Sequence, residues 1–315
     1  MAENDNDNNN AIVFETINGR INGLFFPSTS RPSAKNCKVL CIHGFCCDSR
    51  IFGYLGRKLA SHGIDTYAID LFGHGKSNGR RGDPDFDKTL KAIDEVISQI
   101  RDGTKYSPDK QKGTHENLYI LAHSLGCTYA MWYETLYKKK ISGLILLAPY
   151  VWLKDVKKRG EAVPRNTTFY SLLIRRILTP LTLISATKVV SHSILQTKEV
   201  ATMINDPEIV SSYSYRYIVD VIGFKNTKVD KFSGIEIPIL IMHGLKDTNV
   251  YPQISEKFYS LLNSRKKSLK FFECDHWFNH AIFFNQNDNR YTESDREPII
   301  KAIESWVDET NSTDQ

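Results

Sequence analysis

Long apolar runs are missing from this 315-residue sequence: none approaches the ~18 residues that a membrane span requires. Met1 to Asn10 is acidic and Asn-rich, without the basic-then-apolar segment that directs secretion. Together these absences lead to the expectation of a cytoplasmic protein. Cysteine is sparse and lacks a framework. Cys37, Cys41, Cys46, Cys47, Cys127 and Cys274 show no paired Cys-x-x-Cys spacing of the zinc type. The neighbours Cys46 and Cys47 cannot bond each other without strain, so reduced thiols are expected. No other side chains cluster at metal-ligand spacing, and no cofactor is expected. A surplus of one charge is missing too. The 41 basic residues exceed the 36 acidic ones by a net +5 and are spread along the chain. Nucleic-acid binders concentrate such charge on one face or tract, so no nucleic-acid partner is expected. The densest basic clusters, Lys138 to Lys140 and Lys157 to Arg159, read as solvated surface.

What is present is a core-forming chain with a repeating rhythm. Hydrophobic residues make up 41% of it, enough for one large domain with an insertion. Residues 1–10 read as a disordered tail. Ile12 to Ile17 and Arg20 to Phe26 flank Asn18-Gly19, which favours a two-residue hairpin turn with both central residues at positive φ. Short apolar runs then recur at Lys38 to Ile42, Thr66 to Ile69, Leu118 to Leu121, Leu144 to Leu147, Ile237 to Met242 and Leu269 to Phe272. Segments with helical spacing separate them, among them Ile51 to Ser61 and Phe86 to Ile100. Strands that alternate with helices imply an α/β fold with a mainly parallel sheet covered on both faces, because parallel neighbours need crossover connections. The core is expected over 11–150 and 237–310. Between them the rhythm breaks, and 151–236 reads as a helical insertion forming a lid.

Chemistry gathers where the apolar runs end. Leu118 to Leu121 passes through Ala122-His123-Ser124-Leu125-Gly126 into the helical-looking Thr128 to Tyr137. Small residues two before and two after the serine let strand and helix approach closely, which exposes the hydroxyl on a strained turn. This is the nucleophile elbow, with Ala122 in place of the first glycine. Asp247 follows the run at Ile239 to Met242, and His276 follows the final one. Serine is a poor nucleophile at its own pKa, so a histidine must take its proton and an acid must fix the histidine tautomer. The rival acids are Asp275, adjacent to His276, and Asp220, inside the insertion. The rival base is His280. Backbone N–H groups of Leu125 and Phe45 are the oxyanion-hole candidates, since His43-Gly44-Phe45 follows the first parallel run. His43, His123 and His243 read as structural, packed beside the sheet edge. Cys46, Cys47 and Cys127 read as packing or pocket lining.

With these residues in place, the chain resembles the monoacylglycerol lipase, lysophospholipase and serine-aminopeptidase-like branch of the α/β-hydrolase family over most of residues 38 to 306. Asp70-Leu71-Phe72-Gly73-His74-Gly75-Lys76-Ser77 matches that branch's Asp-x-x-Gly-His-Gly-x-Ser segment. Asp70 there is expected to bond loop backbone. The oxyanion loop departs from the branch, reading His43-Gly44-Phe45-Cys46-Cys47-Asp48 where relatives often have His-Gly-x-x-x-His. The resemblance implies a Ser124, Asp247, His276 triad that hydrolyses a small-molecule carboxylic ester (a monoacylglycerol, a lysophospholipid or a simple acyl ester) through an acyl-enzyme. A lactone or peptide is the alternative substrate, and a non-catalytic binding protein the alternative of another kind. The family commonly places its lid at the insertion. Its mixed apolar and basic segments suggest an acyl pocket lined by Phe169, Leu172, Tyr213 and Tyr217, with room for transient contact at a membrane or lipid interface.

Overall fold

The computed structural model describes residues 10–29, 37–103, 117–138, 141–151, 153, 183–185, 206–218, 220–221, 225, 228–283 and 290–311. The expected tail over 1–10, apart from Asn10, lies outside them, as do Lys139, Lys140, Lys157 to Arg159 and the lid candidates Phe169 and Leu172.

An antiparallel hairpin opens the fold: β1 (Ala11–Thr16) pairs with β2 (Gly19–Phe26). Its turn differs by one residue from the expectation. Thr16 faces Gly19, so Ile17 and Asn18 form the connection, and the positive φ falls on Gly19 at 122°. The residue without a Cβ takes the strain and remains in register, while Asn18 needs no left-handed backbone.

The strands β3 (Cys37–Ile42), β4 (Asp65–Ile69), β5 (Asn117–His123) and β6 (Gly143–Leu147) follow. After the insertion come β9 (Ile239–Gly244) and β10 (Lys267–Phe272). The insertion itself holds β7 (Leu183–Ser185) and β8 (Ser212–Ser214), which pair antiparallel. Eight strands make one sheet in the order β1-β2-β4-β3-β5-β6-β9-β10. All pairs from β4 to β10 are parallel, and β2 joins β4 antiparallel. Strands β4 and β5 flank β3 on opposite sides, so the winding direction reverses there, and ligand sites of open α/β sheets form beyond the strand ends at such a reversal.

Helices cover both faces because alternate residues of each strand point to opposite sides. One side of the sheet, through Leu40, Ile120, Leu144 and Ile241, packs on α2 (Phe86–Arg101) and α3 (Gly126–Tyr137). Asp85 caps α2 by accepting from Lys88 N–H at 2.9 Å, and the buried Phe86, Leu90, Ile93, Ile97 and Ile100 repeat at helical spacing along it. The other side, through Val39, Leu121, Ile145 and Leu240, packs on α1 (Gly53–Ser61) and the residues Ile299, Ile303, Trp306 and Val307 of the final helix. Two short helices precede that one, α4 (Val229–Phe232) and α5 (Pro252–Leu261); the last is α6 (Glu293–Asn311). Phe232 meets Trp132 of α3 edge-on at 5.6 Å, so the end of the insertion joins the core.

Within the stretch read as a helical insertion, helical Tyr215–Tyr217 and Val229–Phe232 stand alongside the β7–β8 strand pair. Ser214 N–H donates to Gly82 O at 2.8 Å, while β8 pairs with β7 on its other edge. With β7 paired along one edge and Ser214 N–H bonded to Gly82 on the other, residues 212–214 run as a strand, and tertiary pairing overrides local spacing. Among the described residues, no helix is long and apolar enough to cross a membrane.

Trp306, 4% exposed, stands edge-on to Tyr119 of β5 with ring centroids 5.8 Å apart. Trp306→Ala should lower the unfolding free energy by about 3–5 kcal/mol, through lost burial and the cavity left behind. Urea titration of the purified variant measures this.

Candidate active site

Ser124 lies between β5 and α3 at φ +52°, a left-handed conformation that costs an L-residue of order 1–3 kcal/mol. The surroundings hold it there. Its N–H donates to Leu147 O of the neighbouring strand at 2.8 Å, and its own carbonyl accepts from Cys127 N–H at 3.1 Å and Tyr150 N–H at 3.2 Å. Close approach of β3 needs two glycines. A Cβ on Gly126 would stand 2.5 Å from the carbonyl oxygens of Ile42 and His43, and one on Gly44 would meet His123 O and the Ser124 Cβ at 3.0 Å.

Beyond β9 and β10 the structure brings Asp247 and His276 together. His276 Nδ1 donates to Asp247 Oδ2 at 2.7 Å, which leaves Nε2 of the neutral ring as the proton acceptor. The other carboxylate oxygen accepts Asn249 N–H at 2.7 Å and Val250 N–H at 2.9 Å. Asp247 is 4% exposed. Burial alone would raise its pKa, yet the charges and hydrogen bonds of His276 and His243 hold it below the usual carboxylate range.

The rivals are occupied elsewhere. Asp275 accepts from Trp277 N–H at 2.8 Å and from the Tyr291 hydroxyl at 3.3 Å. His280 stacks on Phe283 at 4.5 Å and meets Tyr291 edge-on at 4.9 Å, with its Nε2 3.5 Å from the Arg290 guanidinium.

Sequence reasoning missed the role of His243, which it assigned to packing. Its Nε2 stands 2.8 Å from Val250 O and 3.1 Å from Asp247 Oδ2, while its Nδ1 is 2.6 Å from Ser255 Oγ. A Nε2–H tautomer satisfies all three partners: the ring shares its proton between Val250 and Asp247 and accepts from Ser255. The spacing of His243 and Asp247 around a strand end was the available signal. His123 also reaches the site, donating through Nε2 to His276 O at 3.1 Å, with the two rings 4.6 Å apart. Burial drives the His123 pKa well down, so it stays neutral beside His276.

Phe45 and Leu125, the oxyanion candidates, lie on either side of the β3–β5 edge. Among the described residues neither backbone N–H has a protein acceptor. His43 Nδ1 donates to Gly44 O at 2.9 Å while its Nε2 accepts Leu71 N–H at 3.0 Å. Burial lowers its pKa to about 4, with the bond to Gly44 acting the other way. The Asp70 carboxylate, as expected, binds loop backbone: it accepts Ser49 N–H at 2.7 Å and Lys76 N–H at 2.9 Å. Cys46 is half-buried, and Cys47 and Cys127 are buried. Burial pushes the Cys46 thiol up to about 12 and the other two well above the ordinary range, which disfavours the thiolate in all three.

Tyr213 and Tyr217, expected to line an acyl pocket, are 0% and 1% exposed, and both hydroxyls are engaged. Tyr217 shares a hydrogen bond of 3.2 Å with Tyr129, and Tyr213 bonds Cys46 N–H and His74. Among the described residues, no group of three or more His, Cys, Asp or Glu side chains could hold a metal ion.

A family model described as serine aminopeptidase, S33, matches residues 33–287. The monoglyceride lipase of Saccharomyces cerevisiae is 26% identical over 96% of this chain and 95% of its own. The caffeoylshikimate esterase of Arabidopsis thaliana is 24% identical over 96% of this chain and 86% of its own. Among solved structures, the Paleococcus ferrophilus monoacylglycerol lipase superposes with a TM-score of 0.67 at 21% identity, covering 92% of this chain and 99% of that one. A soluble variant of the S. cerevisiae enzyme with a substrate analogue gives 0.69 at 21% identity, covering 95% and 96%. These last two likenesses are of fold.

Because the folded pKa of Asp247 lies below its ordinary value of 3.8, the carboxylate contributes stability above that pH and loses it as pH falls toward the folded value. Asp247→Asn cannot ionise. The stability gap between wild type and this variant should be widest above about pH 5 and should narrow progressively as pH falls below 3.8 toward the depressed folded value. Urea unfolding across that range checks it, and a gap independent of pH would contradict the ionised assignment.

Proposed function

We propose, for a chain that belongs to the serine aminopeptidase S33 family of α/β-hydrolases, that it cleaves carboxylic esters through an acyl-enzyme on Ser124. The observation that carries this reading is the His276–Asp247 pair beyond β10 and β9, at the same carboxyl edge of the parallel strands as the Ser124 elbow, with its hydrogen bond leaving Nε2 free to take a proton. Ser124 Oγ attacks the ester carbonyl while His276 Nε2 removes its proton, and Asp247 offsets the charge that the ring gains. The oxygen of the tetrahedral intermediate is received by Phe45 N–H and Leu125 N–H. His276 then protonates the departing alcohol. Water, deprotonated by the same ring, attacks the acyl-enzyme and returns Ser124 and a carboxylic acid.

Relatives named as a monoglyceride lipase and a caffeoylshikimate esterase support the ester class and point to a small-molecule acyl ester as substrate. The insertion between Leu147 and Ile239 is read as the cap over Ser124, with Phe169 and Leu172 as acyl-lining positions and its mixed apolar and basic segments as the part that could touch a lipid interface.

Ser124→Ala should abolish hydrolysis of p-nitrophenyl butyrate by a factor of about 10⁴ or more without unfolding the protein. A fluorophosphonate should label wild type at Ser124 and leave the variant unlabelled; turnover retained in the pure variant would sink the assignment. His276→Ala should cost as much as the loss of the serine, because the two act as a unit, whereas His280→Ala should retain most of kcat/KM. The reverse ranking would move the base to His280.

A further inference from the structure

Oxyanion donors work only if they are already aimed where charge develops. A backbone N–H cannot be turned independently of its peptide plane, so the Gly44–Phe45 plane decides where Phe45 N–H points, and the adjoining Phe45–Cys46 plane limits how far that plane can swing. The Gly44–Phe45 plane is held by His43, which donates to the Gly44 carbonyl. The Phe45–Cys46 plane is held by Tyr213: Cys46 N–H donates to its hydroxyl at 2.9 Å. Cys46 sits at φ +57°, a left-handed backbone that a cysteine keeps only when its surroundings over-determine it. The Tyr213 ring also stacks on the Phe45 ring, with centroids 4.1 Å apart and planes 23° from parallel.

The phenol is itself oriented. His74 Nδ1 stands 3.0 Å from Phe72 O, a carbonyl that can only accept, so Nδ1 carries the proton and Nε2 is an acceptor. Tyr213 therefore donates to His74 Nε2 at 3.0 Å and turns a lone pair to Cys46 N–H. Flanking residues pin this tyrosine to the core. Ser214 N–H donates to Gly82 O, the Ser214 hydroxyl bonds Asp83, and Arg216 pairs with Asp83 at 2.7 Å. Upstream, Arg50 pairs with Asp206 at 3.0 Å, and Arg81 donates to Glu208 O at 2.6 Å.

We infer that Tyr213, which lies between β6 and β9, is a positioning residue of the oxyanion hole beside His43: its hydroxyl and ring hold the Phe45–Cys46 segment so that Phe45 N–H stays aimed at the tetrahedral intermediate. This rests on the proposed reaction at Ser124. Its role differs from that of a pocket wall, since it acts on the transition state rather than on acyl-chain binding.

The test is Tyr213→Phe, which keeps the stacked ring and removes only the hydroxyl. Loss of one oxyanion donor costs about 10²–10³ in kcat, and loosening one should cost about tenfold. The expected result is kcat for p-nitrophenyl butyrate down about tenfold, KM within about twofold, and the inhibition constant of butylboronic acid, a tetrahedral mimic, raised by the same factor as kcat falls. A folded variant with wild-type kcat and boronate affinity overturns the inference. So does a raised KM with unchanged kcat, which would make Tyr213 a pocket wall. If Tyr213→Phe does not fold, His74→Phe removes the acceptor that orients the phenol and leaves the phenol in place. It should lower kcat and boronate affinity together by a smaller factor, and no change overturns the inference. Failure of the underlying reading is seen separately, as turnover that survives Ser124→Ala.

Discussion

One backbone conformation governs the arrangement around this site: Ser124 must stay at a positive φ, where the chain turns from β5 into α3. A strand leaving the sheet would relax toward ordinary helical geometry if nothing opposed it. Leu147, Cys127 and Tyr150 oppose it by hydrogen-bonding both sides of the serine residue, and the segment after β3 lies so close that a Cβ on Gly44 would crowd the Ser124 Cβ. Parallel register brings Leu147 to the serine, since β6 ends level with β5 at His123 while β3 stops one residue short. The sheet topology is thus what converts a strained residue into a stationary one.

Electrostatics around the site are arranged by burial as much as by pairing. His43, His74 and His123 are buried, and loss of hydration pushes each pKa down, to about 4 and about 3 for the first two. They serve as neutral hydrogen-bonding frames. In the proposed reaction the positive charge then falls on His276, facing a carboxylate already fixed by Asn249, Val250 and His243. Four donors on one buried carboxylate leave it little freedom to reorganise when that charge appears.

Much of this was legible in the residues themselves. Buried parallel strands read as unbroken apolar runs such as Val39 to Ile42, and the elbow, the acid and the histidine each follow one of them. The hairpin was legible too, although its turn shifted to Ile17-Asn18 because Gly19 could pair with Thr16. What local pattern could not reveal is contact between distant segments. Cys46 and Tyr213 are 167 residues apart, and nothing in the spacing of either says that one caps the other. Ser212 to Ser214 looked helical because its partners, Gly82 and β7, are visible only after folding. His243 looked like a packing residue because its second bond, to Asp247, depends on how the chain turns after β9.

The two kinds of crowded glycine leave different routes open to sequence drift. At Gly56 the space of a Cβ is filled by the Phe26 ring, 2.3 Å away, so an alanine there could be relieved by trimming that ring at a second position. At Gly126 the obstacle is the carbonyl oxygens of Ile42 and His43, which every amino acid carries. No second-site suppressor among the neighbours can remove a backbone atom. Lineages descending from this chain can therefore exchange Gly56 along compensated paths, while Gly126 is closed to them in any genetic background that keeps α3 against β3.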